Sequence, residues 1–433
     1  MALLREEEVA PSPVSGLVPL RGRTGTRGWL RAGMLAVWGP GLIVMLADTD
    51  AGCLITAAQS GARWGYTMVL PQLVLMPVLY MAQEITIRLG TVTGRGHGQL
   101  IKEHFGRGWA CLSSATLLAS AVGAHLTEFA GVAAEGELFG LSKWLTVPVA
   151  TAVLLAVAFT RSYRRVERVG IAIGLAELAF VPAMLLTHPN LGKLAHGLVS
   201  VPVGNRSYLV LLAANVGAVI MPWMIFYQQG AVVDKGLRPC DLTKERRDTA
   251  VGSVLTQGIM IVVIVALAAT AYQAHRGTAL TSVAQIAHAL APDLGTSAAH
   301  VFVGAAVMGG ALVAALVVSL AGAWGMSEVM GWGHSLNGGP NRANAKFYLC
   351  YGAAHVVGAG LVLASVDLVG LAIDVEVLNA LLLPVVLGFL LVLEARALPA
   401  AYRMKGVYRW TVTGACALVM AFGLFMVPMT FGV

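Results

Sequence analysis

Two aspartates interrupt an apolar segment near the N-terminus of the chain. Asp48 and Asp50 lie within a hydrophobic run that extends from about residue 34 to residue 58. Inside a bilayer, a carboxylate costs about 2.5–3.5 kcal/mol or more unless it is paired, hydrated or bound to a cation. We therefore predict a cation-binding role for Asp50, with backbone donors or a water-filled vestibule as the alternative. Asp48 would point elsewhere on a helix, which leaves open a proton-pathway or vestibule position and a structural role.

A methionine and a proline interrupt a second apolar segment, from about residue 208 to residue 230. Pro222 lacks the N–H that would bond the carbonyl oxygen of Ala218, and an unwound turn lets such an oxygen face an ion. The thioether of Met221 would add a soft ligand, which favours Mn²⁺ or Fe²⁺ over Ca²⁺ or Mg²⁺. A single methionine in a helix is more often a packing residue, and only the correspondence of this segment to the one around Asp50 favours a ligand.

The composition places both segments in a membrane. Of the 433 residues, 57% are hydrophobic and 12% are charged, whereas an ordinary soluble domain has roughly 25% charged residues. Apolar stretches of the ~20 residues that one crossing requires recur along nearly the whole chain, without the short alternating segments of a barrel. A soluble enzyme is excluded, and we predict an all-α polytopic membrane protein.

Eleven candidate transmembrane spans follow from the apolar runs and the polar breaks between them. They lie at roughly 34–58, 66–89, 110–138, 144–160, 167–187, 208–230, 248–273, 298–330, 344–366, 368–395 and 406–430. With a cytoplasmic N-terminus, 24 of the 29 lysines and arginines lie in inside segments and five in outside segments, which favours that orientation. The basic loops therefore indicate topology and contact with anionic lipid headgroups, and no nucleic-acid partner is predicted.

The two interrupted spans are the first and the sixth, so the pattern repeats after five spans. An odd number of spans inverts the second copy, as in five-plus-five inverted-repeat transporters, whose substrates bind where the paired broken helices unwind. The predicted organisation is a disordered cytoplasmic tail at 1–33, a first five-helix repeat at 34–187, an inverted repeat with its connecting loops at 188–395 and an additional helix at 396–433. The tail has no small-residue cleavage pattern before the first span, which argues against a signal peptide.

A series of short motifs occurs in a specific order along most of the chain. It begins with Trp38-Gly39-Pro40-Gly41, Asp50-Ala51-Gly52-Cys53 and Gly65-Tyr66. It continues with Arg88-Leu89-Gly90-Thr91-Val92-Thr93-Gly94, Glu128-Phe129-Ala130-Gly131, residues 218–222, Leu290-Ala291-Pro292-Asp293-Leu294-Gly295, Ser319-Leu320-Ala321-Gly322 and residues 326–331. In order and spacing, this series resembles the Nramp family of divalent-metal transporters.

The resemblance implies a LeuT-like fold in which four residues surround a dehydrated divalent cation. These are Asp50, Cys53, Ala218 through its carbonyl oxygen, and Met221. The family also places an amide of the tenth span against the ion, and we assign this position to Asn379. Two acidic residues of the same span, Asp374 and Glu376, lie either in the apolar interior of the span or near the outer membrane surface, and we favour the surface position.

The sequence departs from the family pattern at positions associated with proton co-transport. In the family, a His follows the Met-Pro pair and a second His lies five residues further on. This sequence has Trp223 and Gln228 at those positions. We place both residues in a proton pathway or vestibule. Because neither side chain titrates near neutral pH, proton coupling is in doubt. Three positions before Glu128, the family has an acidic residue, whereas this sequence has His125. These two residues, on one helical face, could relay protons or could form a simple stabilising hydrogen bond.

The substrate remains open between two kinds of divalent cation. Where the family has Asn and Pro, this sequence has Cys53 and Ala51. The thiol of Cys53 and the thioether of Met221 are soft groups that favour Mn²⁺ or Fe²⁺. Some divergent members of the family carry Mg²⁺, which keeps several waters and needs a larger, more polar cavity. The membrane voltage supplies about 4.6 kcal/mol per 100 mV to an entering divalent ion, so an uncoupled route would suffice.

We therefore predict a secondary transporter that imports a divalent metal cation by alternating access. An uncoupled Mg²⁺ transporter is the alternative, and a LeuT-fold amino-acid transporter is less favoured because Asp50 would repel a substrate carboxylate. No phosphate-binding GxxxxGK[ST] loop is present, so neither ATP nor a cofactor is predicted, and the metal ion is substrate. We expect a monomer or weak dimer in the lipid bilayer of a bacterial inner membrane.

Overall fold

The computed structural model describes residues 39–431, except 275, 276, 278, 338 and 365–367. The predicted tail at 1–33 lies outside the described residues, as does Trp38. Helices are the only regular secondary structure in the described part of the chain, which confirms the all-α class.

The described chain contains eighteen α-helices. In order, these are α1 (Pro40–Asp48), α2 (Ala51–Trp64), α3 (Val69–Thr93), α4 (His97–Phe105), α5 (Arg107–Leu138), α6 (Lys143–Ala158), α7 (Tyr163–Gly174), α8 (Phe180–Leu186), α9 (Leu191–Val199), α10 (Arg206–Val219), α11 (Pro222–Asp234), α12 (Leu242–Ala269), α13 (Ala271–Ala274), α14 (Val283–Leu294), α15 (Thr296–Met330), α16 (Ala345–Ala364), α17 (Leu368–Ala397) and α18 (Gly406–Phe431). Short 3₁₀ segments cover Gly65–Met68, Leu175–Ala179 and Pro239–Asp241.

Nine helical stretches in the described residues are long and apolar enough to cross a bilayer. The number is smaller than the predicted eleven for two local reasons. The 3₁₀ segment Gly65–Met68 joins α2 to α3, so that Ala51–Thr93 is one stretch of 43 residues. Helix α6, at the fourth predicted span, has only 16 residues. The predicted number of spans thus stays a prediction, while the multi-pass character is confirmed.

The first broken helix is interrupted at Thr49 and Asp50, between α1 and α2. Asp50 has an extended backbone (φ −65°, ψ 176°) and its Oδ1 accepts a hydrogen bond of 2.7 Å from the N–H of Cys53. This is the geometry of a helix N-cap, for which aspartate is among the preferred residues. The Asp50 carboxylate therefore caps the start of α2.

The second broken helix is interrupted at Ile220 and Met221, between α10 and α11. Both residues are extended, and Pro222 occupies the first turn of α11. Proline fits that position because its missing N–H would have no partner in the first turn of a helix. Both breaks lie within the segments predicted from the sequence.

Close helix contacts hold the two breaks beside α17 and α15. Gly217 of α10 packs against α17 so tightly that a Cβ atom there would overlap the backbone carbonyl oxygen of Glu376. Gly310 of α15 likewise packs against the carbonyl oxygen of Thr49. These glycines allow backbones to approach closely, as small residues do at helix interfaces in membranes.

Candidate metal centre

Three side chains with metal-binding atoms converge beside the first helix break. Asp50 and Cys53 come from the start of α2, and Glu376 comes from α17. One ligand atom of each lies within 4.8 Å of the others. Asp50 and Cys53 are 0% exposed and Glu376 is 1% exposed, so the group is inside the protein.

The two carboxylate oxygens of Asp50 have different environments. Oδ1 accepts from the Cys53 N–H, whereas Oδ2 is buried and has no hydrogen-bond partner among the described residues. The N–H of Ala51, the first residue of α2, donates to Glu128 Oε2 at 3.3 Å. The free oxygen of Asp50 is thus available to a ligand, and the amides at the start of α2 are already occupied by carboxylates.

The thiol of Cys53 connects the two broken helices. Its Sγ lies 3.2 Å from the carbonyl oxygen of Ala218, to which it donates, and 3.7 Å from Glu376 Oε1. The Ala218 oxygen, predicted to be free because of Pro222, therefore faces this group of side chains. A carbonyl oxygen, two carboxylates and a sulfur atom meet at one place.

Glu376 is the member of the group that was not assigned as a ligand from the sequence. Asn379, the predicted ligand in this helix, donates from Nδ2 to Glu376 Oε2 at 2.9 Å and accepts from Ser120 Oγ at 2.6 Å. A direct role of Asn379 as a ligand stays a prediction, because the described contacts engage it in orienting Glu376. Asp374, by contrast, is exposed.

The spacing of the polar residues in α17 distinguishes Glu376 from Asp374. Glu376 and Asn379 are three apart and lie on one helix face, while Asp374 is two residues from Glu376 and points elsewhere. Pairing the carboxylate with the amide on one face would have favoured Glu376 over Asp374 for the interior.

Met221 and Trp223 belong to the second break and the first turn of α11. Both side chains are fully buried. The ligand role of Met221 stays a prediction. The Nε1 of Trp223 has no hydrogen-bond partner in the described structure.

Asp48 and Gln228 both contact α12. Asp48 Oδ2 accepts from Thr256 Oγ1 at 3.2 Å. Gln228 donates to Thr249 Oγ1 at 2.9 Å and accepts from Thr86 Oγ1 at 3.1 Å, so it ties α11 to α12 and α3. The vestibule or proton-pathway roles considered for these two residues stay predictions.

His125 and Glu128 diverge from each other on α5. His125 Nε2 lies 2.9 Å from Ser319 Oγ, which is also 2.9 Å from His355 Nδ1, whereas Glu128 faces Ala51. No hydrogen bond joins His125 to Glu128 in the described residues, so the simple stabilising bond considered from the sequence is absent. Residues three apart on a helix are rotated by about 60°, enough for their side chains to contact different neighbours. His355 was not identified from the sequence.

Two carboxyl groups lie together in this buried site. In the part of the chain that the structure describes, the ion pairs lie elsewhere, as between Arg88 and Glu84 or between Lys235 and Glu167. Two carboxylates in a buried, low-dielectric site are costly unless a cation compensates them. The arrangement can therefore bind a divalent cation, with oxygen ligands and one softer sulfur.

Two sequence comparisons show what this chain is similar to. A sequence model of the family described as natural resistance-associated macrophage protein-like (Nramp) matches residues 41–428. The divalent metal cation transporter MntH of Verminephrobacter eiseniae is 26% identical over 417 residues, which cover 92% of this chain and 90% of that protein.

Two solved structures have a similar fold. The manganese transporter of Eremococcus coleocola, in complex with an aromatic bis-isothiourea substituted compound, has a TM-score of 0.72 and 18% identity, covering 94% of this chain and 88% of that one. Mhp1, a nucleobase-cation-symport-1 family transporter in a closed conformation, has a TM-score of 0.57 and 15% identity, covering 91% of this chain and 92% of its own. These similarities confirm the predicted fold class.

Proposed function

Because the chain belongs to the Nramp family, we propose that it is a secondary transporter that imports a divalent metal cation by alternating access. The main support is the site itself. Ligand atoms of Asp50, Cys53 and Glu376 lie within 4.8 Å of one another, beside the Ala218 carbonyl oxygen and between two broken helices. Transporters of this architecture bind substrate where paired helices unwind. The V. eiseniae relative is called a divalent metal cation transporter and the E. coleocola protein a manganese transporter. The family is one of membrane transporters, not of enzymes.

The same geometry argues against an amino-acid substrate. A transporter of this architecture holds a substrate carboxylate at the exposed N-terminus of a half-helix. Here the Cys53 and Ala51 amides at the start of α2 donate to the carboxylates of Asp50 and Glu128. A substrate carboxylate would find these donors occupied and would be repelled by Asp50 and Glu376.

The ligand atoms favour a transition metal over Mg²⁺. The Cys53 sulfur lies inside the group, and Met221 is buried at the neighbouring break, so soft ligands are available to Mn²⁺ or Fe²⁺. Mg²⁺ prefers six oxygens and keeps several waters. We propose Mn²⁺ or Fe²⁺ as the substrate, with uncoupled Mg²⁺ transport as the alternative.

Proton co-transport is not expected from α11. Trp223 replaces one titratable position there, and Gln228 is held by hydrogen bonds to two threonine hydroxyls. The membrane voltage alone drives a divalent ion inward by about 4.6 kcal/mol per 100 mV. We propose that the ion enters without protons and without ATP, in the plasma membrane of a bacterium, through a protein that acts as a monomer or weak dimer.

Uptake into proteoliposomes at fixed voltage tests this proposal. Mn²⁺ and Mg²⁺ are offered side by side, with a pH-sensitive dye inside and the Asp50→Ala protein as control. We expect saturable Mn²⁺ entry that Mg²⁺ does not compete, no matching acidification, and no uptake by the control. Mg²⁺ entry without protons would support the alternative. Competition by amino acids but not by metals would overturn the proposal.

A further inference from the structure

Three aromatic side chains and an arginine form a continuous cluster where α4, α5 and α17 meet. The ring of Phe105, the last residue of α4, lies 5.7 Å between centroids from the ring of Phe389 on α17. Trp109, in the first turn of α5, lies 5.9 Å from the same Phe389 ring. The guanidinium carbon of Arg396 lies 5.4 Å from the centroid of the Phe105 ring. These contacts place the end of α17 against the corner between α4 and α5.

The cluster lies at the ends of two membrane-spanning stretches. Arg107 is the first residue of the stretch Arg107–Leu138, and Arg396 is the second-to-last residue of the stretch Val369–Ala397. Because Arg396 contacts Phe105, which is two residues before Arg107, both ends face the same side of the bilayer. Aromatic and basic side chains at the ends of spans lie at the level of the lipid headgroups.

The outward side of the cluster is not covered by the protein. Trp109 is 55% exposed, and Arg107 and Arg396 are exposed as well. On either side of Arg107, a Cβ atom at Gly106 or Gly108 would meet no atom of a neighbouring element within 4 Å. An indole ring and two guanidinium groups are therefore accessible to a molecule at the membrane surface.

The positive charge of the two arginines is not neutralised within the described part of the chain. Neither Arg107 nor Arg396 forms an ion pair or a side-chain hydrogen bond there. The acidic residues nearest to them along the chain are engaged elsewhere. Glu103 forms an ion pair with another arginine, and Glu394 accepts a hydrogen bond from a backbone amide. An anion is the ligand that this charge would attract.

The surface next to the arginines specifies which anion fits. Phe389, Val392 and Arg396 are three and four residues apart, so they lie on one face of α17. Val392 is 38% exposed, which leaves apolar surface beside the guanidinium group. Guanidinium groups bind phosphate oxygens well, and apolar side chains contact acyl chains. A soluble anion would use only the charge, whereas an anionic phospholipid would use both parts of this surface.

We propose that Arg107, Arg396 and Trp109 form a binding site for one anionic phospholipid. The guanidinium groups bind its phosphate, and the exposed face of α17 at Phe389 and Val392 contacts its acyl chain. The bound lipid joins the corner between α4 and α5 to the end of α17. Lipid binding does not require metal transport, so failure of the proposed function would leave this site unaffected.

Quenching of Trp109 fluorescence by brominated lipids tests the site. The full chain is reconstituted in mixed vesicles of phosphatidylglycerol and phosphatidylcholine, with bromine on the acyl chains of one lipid or the other. The difference from Trp109→Phe isolates the signal of Trp109 from that of the other tryptophans. We expect a preference for phosphatidylglycerol of about tenfold or more, which high salt should reduce because it screens surface charge. Equal quenching by the two brominated lipids would overturn the proposal.

Substitutions of the arginines locate the site. Arg107→Gln and Arg396→Gln each remove one positive charge and should lower the preference about fivefold. Arg396→Lys keeps the charge and should retain most of the preference. The matched control is Arg409→Gln, at an exposed arginine in the first turn of α18, which should leave the quenching of Trp109 unchanged.

Thermal unfolding shows whether each variant is folded. If both glutamine variants fold and keep the wild-type preference, the arginines do not bind the lipid and the assignment is wrong. If Arg409→Gln lowers the preference as much as they do, the effect comes from the overall charge of the protein, which also contradicts the site.

Discussion

The Cys53 thiol donates to the carbonyl oxygen of Ala218 at 3.2 Å, across the gap between two broken helices. This contact places sulfur beside an unwound backbone carbonyl. It connects α2 with α10, so any movement of one broken helix relative to the other changes the ligand set. In the alternating-access cycle that we propose, a shift of either half-helix would therefore open or close the centre.

Asp50 supplies both a helix cap and a free ligand oxygen, and two substitutions separate these roles. Asp50→Asn keeps the hydrogen bond from the Cys53 amide but removes the charge, so Mn²⁺ uptake should fall at least about tenfold, a loss of about 1.4 kcal/mol or more, with little change in unfolding temperature. Asp50→Ala removes both and should also destabilise the protein by about 1 kcal/mol. Uptake assays and thermal unfolding measure the two effects. Near-normal uptake by Asp50→Asn would remove Asp50 from the centre.

The sulfur atoms should set the preference between metals. Cys53→Ser replaces sulfur with a harder oxygen at the same place, so Mn²⁺ uptake should fall severalfold relative to Mg²⁺ uptake. Met221→Ala should change the ratio in the same direction. The control is Cys416→Ser, at a buried thiol of α18 remote in sequence from both breaks. An unchanged ratio in Met221→Ala would show that Met221 is a packing residue.

Glu376 and Asp374 form a matched pair for a charge test on α17. Glu376→Gln removes a buried carboxylate from the centre and should weaken Mn²⁺ binding at least about tenfold, a loss of about 1.4 kcal/mol or more. Asp374→Asn removes the same charge from an exposed position two residues away and should leave binding unchanged. Titration of the purified proteins with Mn²⁺ gives both affinities. Equal affinities in the two variants would exclude Glu376 as a ligand.

His97, in the short helix α4 outside the membrane-spanning stretches, should make stability depend on pH. Burial lowers the pKa of His97 to about 4, while Nδ1 lies 3.1 Å from Gln229 Oε1. Because the unfolded chain binds the proton more readily between pH 6.5 and 4, the free energy of unfolding should decrease as pH falls through that range, by about 2 kcal/mol at pH 5.

Thermal unfolding at pH 7 and pH 5 checks the role of His97. His97→Asn should show a smaller decrease in unfolding temperature on acidification than the wild type. His104→Gln, at an exposed histidine of the same helix, should behave as the wild type does. A wild-type decrease that persists in His97→Asn would assign the pH dependence to another group.

The helix breaks could be predicted from the sequence because their causes are local. Asp50 caps the helix that follows it, and Pro222 cannot continue the helix that precedes it. The close approach of α10 to α17 at Gly217 could not be predicted, because the groups that require a glycine there are more than a hundred residues away along the chain. Local chemistry therefore predicts where a helix ends, but not which helix lies beside it.

The candidate centre was predictable to the same extent. Cys53 and Ala218 followed from the motif and from the position of Pro222. The spacing of Glu376 from Asn379 favours it over Asp374, but which face of α17 turns inward depends on how the helix packs. The pairing of His125 with His355 through Ser319 depends on contacts among α5, α15 and α16, which no local pattern contains.

Anomalous diffraction from crystals grown with Mn²⁺ tests the central claim most directly. We predict a single strong anomalous peak at coordination distance from Asp50 and Glu376 carboxylate oxygens and beside the Cys53 sulfur. The peak should be absent from crystals of Asp50→Asn grown in the same way. A Mn²⁺ peak elsewhere in the wild-type protein, with none between these residues, would contradict the placement of the metal centre at the first helix break.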